Sequence, residues 1–196
     1  MNITHQQKKT GQTHSLPTES DLTIIRNSIR IIQDWPEPGV VFRDITTLLQ
    51  NPVAFHKVID ILVERYANIK IDVIAGLDAR GFIFGPILAY KLNLGFVPIR
   101  KKGKLPFTTC SESYSLEYGE STTVEIHTDS IKPGDNVVIV DDLIATGGTM
   151  LAACKLINKL GGNVVECAVV NDLLYLGGSK CIREEGFAVY SILEYN

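Results

Sequence analysis

The sequence predicts an α/β fold in which a twisted, mainly parallel sheet is flanked by helices, and three observations lead to this class. Short apolar strands alternate with helical patterns from about residue 52 to residue 170. The apolar runs lack polar alternation, as expected for parallel strands that are buried on both faces. One segment departs from this order, because Ser113–Thr128 alternates in polarity around Gly119-Glu120 and predicts an antiparallel hairpin.

The N-terminal part of the chain predicts a tail followed by one helix. Residues 1–19 are polar and contain little to bury, so we expect a mobile tail, with a single domain over residues 20–196. Four apolar residues then recur at helical spacing, namely Leu22, Ile25, Ile29 and Ile32. Trp35–Gly39 holds two prolines and a glycine, which exclude regular structure there.

Strands and helices alternate through the rest of the chain. The predicted helices are Pro52–Tyr66, Phe82–Leu92 and Met150–Leu160. The predicted strands are Ile71–Ala75, Gly95–Arg100, Val137–Val140 and Val164–Val170. In sheets of this kind ligands bind at the carboxyl ends of the strands, and a hairpin inserted between parallel strands is often a loop that covers the ligand.

Length, charge and cysteine content exclude several classes of protein. A chain of 196 residues buries about 70% of its surface on folding, so it needs no disulfide or structural metal. The net charge of −3 argues against a protein that coats nucleic acid, since such proteins are usually basic. No apolar run is long enough to cross a membrane, and the N-terminus lacks the apolar core of a secretory signal. The four cysteines form no CxxC pair, and we expect a cytoplasmic location.

The segment Val137–Thr149, VVIVDDLIATGGT, carries the strongest chemical signal. Its strand ends in Asp141 and Asp142, and a loop rich in threonine and glycine then leads into a helix. Backbone N–H groups in such a loop and the positive end of the helix dipole bind phosphate, and adjacent carboxylates can accept hydrogen bonds from the two hydroxyls of a ribose. A plain strand-to-helix turn with an acidic rim is the alternative. The motifs GxxxxGK[ST] and GxGxxG are absent, so nucleotide triphosphatases of the P-loop class and dinucleotide-binding dehydrogenases lose their main support.

The same segment resembles the signature with which type I phosphoribosyltransferases bind 5-phosphoribosyl-1-pyrophosphate (PRPP). Further segments resemble the adenine-specific members of that family, in the same order and at similar separations: WPEPGVVFRDIT, GLDARGFIFGPILA, IRKKGKLP and SYSLEYG. The resemblance covers the chain from about Leu22 to the C-terminus. It implies the type I phosphoribosyltransferase fold, with an antiparallel hairpin flap and an N-terminal hood segment.

The resemblance implies an enzyme of purine salvage that transfers the 5-phosphoribosyl group of PRPP to N9 of adenine, giving AMP and pyrophosphate. Mg²⁺ is the implied cofactor, bound mainly through PRPP, and no protein ligand is assigned to it. The implied assembly is a homodimer in which Arg100 acts in the neighbouring subunit's site. Adenine and PRPP are the expected partners, and neither nucleic acid nor a membrane is expected.

The resemblance also implies a role for each matching residue of the PRPP half of the site. The 5-phosphate is assigned to the loop residues Ala145, Thr146, Gly147, Gly148 and Thr149. The ribose hydroxyls are assigned to Asp141 and Asp142. Pyrophosphate is assigned to Asp78, Ala79, Arg80, Arg100 and Lys104, with a cis peptide between Asp78 and Ala79. Without the resemblance, Arg80 could be a surface charge, and the basic run from Arg100 to Lys104 is as consistent with a solvated face.

The remaining assignments concern the base and the proton. Val41, Phe42 and Arg43 are expected to contact adenine, although Phe42 could equally belong to the core. Glu117 is expected to be catalytic together with Arg80, because a carboxyl group at N7 of the base can act as general acid and base. Tyr118 is expected to shield the site when the flap closes. A lone glutamate in a hairpin is otherwise usually solvent-facing.

Two alternatives stay open at this stage. A regulator that senses PRPP could use the same fold, since fold alone does not determine function. Such a regulator would be expected to carry a nucleic-acid-binding domain or a basic face, and this acidic chain has only a short polar tail beyond the family core. The same chemistry could also act on hypoxanthine, guanine or a pyrimidine, and only the segment around Val41 argues against this.

Overall fold

The computed structural model describes residues 17–115 and 121–196, which form nine strands and six helices. The helices are α1 (Glu19–Asn27), α2 (Thr46–Gln50), α3 (Pro52–Tyr66), α4 (Gly81–Leu92), α5 (Gly148–Lys159) and α6 (Gly178–Glu184). The strands are β1 (Arg30–Gln33), β2 (Val41–Asp44), β3 (Val73–Leu77), β4 (Gly95–Lys101), β5 (Thr109–Ser115), β6 (Ser121–His127), β7 (Asn136–Ile144), β8 (Asn163–Leu173) and β9 (Val189–Tyr195).

Seven of these strands form one sheet in the order β5-β6-β4-β3-β7-β8-β9. The five strands from β4 to β9 in that order are parallel, whereas β6 pairs antiparallel with both β4 and β5. The predicted α/β class with a mainly parallel sheet is therefore confirmed. Because β4, β3 and β7 are adjacent and parallel, their carboxyl ends lie side by side at one edge.

Alternate residues of β7 enter two separate cores, which explains why its sequence is apolar without alternation. Val138 and Val140 are buried with residues of α3 and α4 on one face of the sheet. Val137 and Ile139 are buried with residues of α5 on the other face. Burial on both faces is expected for a central parallel strand between helical layers, and it anchors the polar end of the same strand.

Strands β1 and β2 form an antiparallel pair, separate from the main sheet, that we call the hood hairpin (Arg30–Asp44). The helix predicted to extend to Ile32 is wrong beyond Asn27, where α1 ends. Ile29 and Ile32 fit helical spacing, but Ile32 pairs with Phe42 across the hairpin. A pairing partner ten residues away is invisible to local periodicity.

The predicted antiparallel hairpin is confirmed in strands β5 and β6, which we call the flap hairpin (Thr109–His127). Its residues 116–120 lie outside the described part of the chain. The hairpin joins the main sheet through β6, whose Glu125 is paired with Arg100 of β4.

No helix among the described residues has the length and apolar character to span a membrane.

Candidate active site

Two adjoining cavities lie at the carboxyl edge of the sheet. The smaller, of about 340 Å³, is lined by the ends of β3 and β7, the loop before α5 and part of the flap hairpin. The larger, of about 700 Å³, lies between the hood hairpin and the ends of β7 and β8. Arg80, Leu143 and Ala145 line both cavities, so a single elongated ligand can occupy the two together.

The loop Ala145–Thr149, assigned to the 5-phosphate from the sequence, lines the smaller cavity. It connects β7 to α5 through Gly147, whose φ is +85°. Residues with a side chain are strained at this φ, so the position favours glycine. The first N–H groups of a helix have no intrahelical acceptor, and they carry the positive end of the dipole. The loop thus presents donors for an anionic group at the cavity wall.

The first residue of α6 packs against this loop. A Cβ on Gly178 would lie 2.2 Å from the carbonyl oxygen of Ala145 and 2.6 Å from the nitrogen of Gly147. Real Cβ atoms do not approach backbone this closely. The position of the loop Ala145–Thr149, which we call the anion-binding loop after its expected role, therefore depends on a glycine more than thirty residues away in the sequence.

Asp141 and Asp142 both line the smaller cavity, at the end of β7. The backbone N–H of Asp142 donates to Oδ1 of Asp141 at 2.8 Å. Oδ2 of Asp142, a residue that is 2% exposed, lies 3.1 Å from Nε of Arg80. Oδ2 of Asp142 accepts no hydrogen bond in the described structure. Its attraction to Arg80 is therefore electrostatic, and it can still accept a hydrogen bond from a ligand.

The electrostatics of this pair are set by burial. Burial raises the pKa of Asp141 well above its ordinary range, and the neighbouring Asp142 raises it further. Burial also raises the pKa of Asp142, and the positive charge of Arg80 opposes that rise. Arg80 therefore helps to keep the ionised form, which is the form that accepts two hydrogen bonds from a diol.

The loop after β3 brings Asp78 and Arg80 into the smaller cavity. The Asp78–Ala79 peptide bond is cis, as the resemblance implied. Arg100 donates from Nε to Oδ2 of Asp78 at 3.1 Å. Within one chain, Arg100 thus lies against the loop that holds Arg80.

Three predicted residues do not line either described cavity: Ala79, Arg100 and Lys104. Lys104 is exposed, and its backbone carbonyl accepts a hydrogen bond from Arg100 at 3.2 Å. Lys101, from the same basic run, does line the smaller cavity. Because β-strand side chains alternate between faces, adjacent basic residues of β4 cannot all point at one site.

Val41, Phe42 and Arg43, assigned to the base from the sequence, line the larger cavity together with Arg80. Phe42 packs edge-to-face against Trp35 with ring centroids 4.3 Å apart. Of this pair, Phe42 lines the larger cavity, together with Pro36 and Gly39 of the loop between β1 and β2. The hood side of the larger cavity therefore presents an aromatic ring.

Arg43 is held by the C-terminal strand. Its guanidinium carbon lies 3.4 Å from the ring centroid of Tyr195, the last residue of β9. Such a stack over an aromatic face is favourable by about 0.5–2 kcal/mol. Asn196 follows directly and lines the larger cavity, so the residue after β9 forms part of its wall.

Several lining residues were not predicted from the sequence: Lys101, Tyr114, Thr122, Leu143, Leu173, Tyr175 and Asn196. Tyr114 and Leu143 lie inside segments that carried the resemblance, which was the only available signal. Leu173 follows a buried strand, and nothing in its local pattern distinguishes it from a core residue. Glu117 and Tyr118, the predicted residues of the flap, lie outside the described part of the chain.

The arrangement can bind a phosphorylated sugar that carries or receives a flat base. The anion-binding loop and two carboxylates match a phosphate and a pair of hydroxyls. The apolar hood matches a planar ring, and Arg80 lies where the two meet. A guanidinium at this position can pair with negative charge on a group that leaves the sugar.

Comparison with known proteins gives one consistent family. Residues 44–174 match the model of the phosphoribosyl transferase domain. The chain is 59% identical to an adenine phosphoribosyltransferase of Burkholderia vietnamiensis over 89% of this chain and 92% of that protein. Among solved structures, it is similar to the adenine phosphoribosyltransferase of Rhodothermus marinus at 44% identity and a TM-score of 0.84, covering 91% of this chain and all of the other.

A second solved structure is informative because of its ligands. The adenine phosphoribosyltransferase of Saccharomyces cerevisiae is 39% identical, with a TM-score of 0.83 over 90% of this chain and all of the other. That structure contains adenine and an imino-altritol bisphosphate. A base and a doubly phosphorylated sugar analogue are thus bound together in that relative.

Replacing Gly178 with alanine is expected to weaken binding of ribose 5-phosphate by about tenfold or more, because the added Cβ displaces the anion-binding loop. Titration calorimetry measures this directly. Gly95→Ala is the matched control, since a Cβ at Gly95 meets nothing within 4 Å. Equal affinities of the two variants would contradict the supporting role of Gly178.

Replacing Arg80 with glutamine is expected to move the acid limb of ribose 5-phosphate binding to higher pH. Protonation of the carboxylates removes their acceptors, and without the guanidinium the pKa of Asp142 rises further. The midpoint should shift upward by about one pH unit. Arg80→Lys, which keeps the charge, should shift it less, and titration of the ligand's own phosphate is common to all three proteins. Coinciding midpoints for the native protein and Arg80→Gln would refute the electrostatic role.

Proposed function

The chain belongs to the phosphoribosyltransferase family and, within it, to the adenine phosphoribosyltransferases, and we propose that it transfers the 5-phosphoribosyl group of PRPP to N9 of adenine, forming AMP and pyrophosphate in purine salvage. The observation that carries this function is the pair of cavities that meet at Arg80. One cavity has the groups that suit a phosphorylated ribose, and the other has those that suit a purine.

In the smaller cavity, PRPP would be held by its 5-phosphate and by its ribose hydroxyls. The 5-phosphate would accept hydrogen bonds from backbone N–H groups and hydroxyls of Ala145–Thr149. Asp141 and Asp142 would each accept a hydrogen bond from one ribose hydroxyl. This fixes the sugar ring on both sides of the anomeric carbon, and such positioning supplies a large part of the barrier reduction in reactions of two substrates.

The pyrophosphate would lie against the loop Asp78–Arg80, with Arg80 paired to its oxygens. The bond between the anomeric carbon and pyrophosphate breaks with positive charge on the sugar and negative charge on the leaving group, so catalysis is mainly electrostatic stabilisation of these charges. The carboxylates of Asp141 and Asp142 lie on the side of the sugar charge. Lys101, which lines the cavity, would add positive charge near the pyrophosphate. Lys104 is also proposed to bind the pyrophosphate.

In the larger cavity, adenine would lie beside Val41–Arg43. Backbone N–H and C=O groups near Val41 would read N1 and the exocyclic amine, which oxo-purines present with donor and acceptor reversed. Phe42 and Leu173 would supply apolar surface to the ring. This part of the proposal decides the choice of base.

Proton transfer is assigned to Glu117. As N9 attacks the anomeric carbon and the bond to pyrophosphate breaks, adenine must lose its ring N–H proton, and a carboxylate at N7 can accept that proton and later release it to water. Tyr118 would shield the reacting atoms from water when the flap hairpin closes. Both residues follow directly from β5 in the chain, and β5 contacts the smaller cavity through Tyr114.

Mg²⁺ is the proposed cofactor, held mainly by PRPP oxygens and water. Among the described residues, no group of three or more histidine, cysteine or acidic side chains could hold a metal ion. Mg²⁺ retains several waters and often binds one or two carboxylates. Asp142 fits this need, because its buried Oδ2 lacks a hydrogen-bond partner. When bound, the ion would neutralise charge on the pyrophosphate.

The proposed assembly is a homodimer in the cytoplasm. Four free cysteines agree with a reducing compartment. In the dimer, Arg100 would reach the neighbouring subunit's site. Within one chain its partner is Asp78 of the pyrophosphate loop, so the same residue would join the proposed subunit contact to that loop.

The protein, mixed with PRPP, Mg²⁺ and a panel of free bases, is expected to form AMP and pyrophosphate from adenine and no product from hypoxanthine, guanine or pyrimidines. Chromatography of the nucleotides measures this. Product from another base would overturn the assignment around Val41. Tight PRPP binding without product would favour a PRPP-sensing regulator.

In the same assay, Glu117→Gln is expected to lower kcat by about 10²–10⁴-fold, the usual contribution of general acid–base catalysis, and to leave the KM for PRPP nearly unchanged. Glu120→Gln, three residues further along the chain, is the matched control and should retain activity. Equal activity of the two variants would exclude Glu117 as the proton-transfer residue.

A further inference from the structure

Tyr114 of the flap hairpin is hydrogen-bonded to the anion-binding loop. Its hydroxyl oxygen lies 2.6 Å from Oγ1 of Thr149, and either atom can donate. Both residues line the smaller cavity. No role has been assigned to Tyr114 above, although it is hydrogen-bonded to Thr149, which is assigned to the 5-phosphate.

Close packing fixes the tyrosine ring on the loop. A Cβ on Gly148 would lie 2.7 Å from Cδ2 of Tyr114, so the ring rests directly over the backbone of the loop. Tyr114 is paired across the flap hairpin with Thr122, which also lines the smaller cavity. The tyrosine is therefore placed by the sheet register from one side and by the loop from the other.

We propose that Tyr114 is a positioning residue for the 5-phosphate, acting through Thr149. A threonine hydroxyl has one proton and two acceptor sites. If Tyr114 donates to Oγ1 of Thr149, the proton of Thr149 is directed toward the phosphate oxygen. Hydrogen bonds in such a chain strengthen one another, and those to a charged acceptor are stronger than neutral ones. This inference rests on the phosphate site of the proposed function.

The hairpin is held to α5 at a second point, which makes the tyrosine hydroxyl separable from the fold. Nζ of Lys159 in α5 forms an ion pair with Glu112 and donates to the backbone carbonyl of Ser111 at 3.4 Å. Glu112 lies two residues before Tyr114 in β5. Removing one hydroxyl therefore leaves both the ion pair and the ring packing against Gly148 in place.

The test compares Tyr114→Phe with the native protein by titration calorimetry, using ribose 5-phosphate and pyrophosphate as separate probes. The affinity for ribose 5-phosphate is expected to fall by about three- to tenfold, the effect of losing one hydrogen bond, while pyrophosphate binding stays unchanged. In the assay with adenine, the KM for PRPP should rise and kcat should be retained. Tyr90→Phe is the matched control, because Tyr90 is 82% exposed.

A double-mutant cycle with Thr149→Val tests whether Tyr114 acts on the phosphate through Thr149. If Tyr114 acts through Thr149, then Tyr114→Phe causes no further loss once Thr149 is replaced. Equal losses for both ligands, fully additive losses in the cycle, or an unchanged affinity in Tyr114→Phe would each overturn the inference. Failure of the native protein to bind ribose 5-phosphate would overturn the phosphate site and this inference together. Binding with the expected selectivity but no turnover of adenine would support the inference and reject only the proposed function.

Discussion

Asp141 and Asp142 are adjacent carboxylates at the buried end of a central strand, and their charge balance is the constraint on which the site depends. Burial of like charges disfavours ionisation of both, yet a ribose diol requires two acceptors. Arg80, 3.1 Å from Asp142, supplies the opposing charge. The same guanidinium also lines the other cavity, so one side chain would couple the proposed sites of the sugar, the leaving group and the base.

The position of that charge balance follows from the topology. Parallel pairing of β3 with β7 places Gly76 beside Val140, which brings the loop carrying Arg80 to the carboxylates. Pairing of β3 with β4 places Leu77 beside Ile99, which brings the basic run to the same edge. The hood hairpin and the C-terminal strand then meet over this edge, where Tyr195 stacks on Arg43. The walls formed by β3, β7 and β8 are thus the ends of strands whose other residues are buried in the two cores.

The sheet and the position of the loop Ala145–Thr149 at its edge could be predicted because their signals are local. A continuous apolar run such as Val137–Val140 indicates a buried strand. Two acids followed by threonines and glycines indicate a ligand-binding loop, because an ordinary strand-to-helix turn does not need this combination. The hood strand β1 and the stack of Tyr195 on Arg43 could not be predicted, since their partners are distant in sequence and Ile32 fits two periodicities. Roles of single residues, including Arg80 and the basic run, depended on family resemblance, because a charged side chain has the same local pattern in a site and on a surface.

The measurement that tests this account most directly is a crystal structure of the protein with AMP. The account predicts the phosphate on the backbone of Ala145–Thr149, the ribose hydroxyls on Asp141 and Asp142, and adenine in the larger cavity beside Val41. Arg80 should lie next to the glycosidic bond, at the junction of the two cavities. Adenine outside the hood, or a phosphate bound away from the loop, would contradict the assignment of the two cavities.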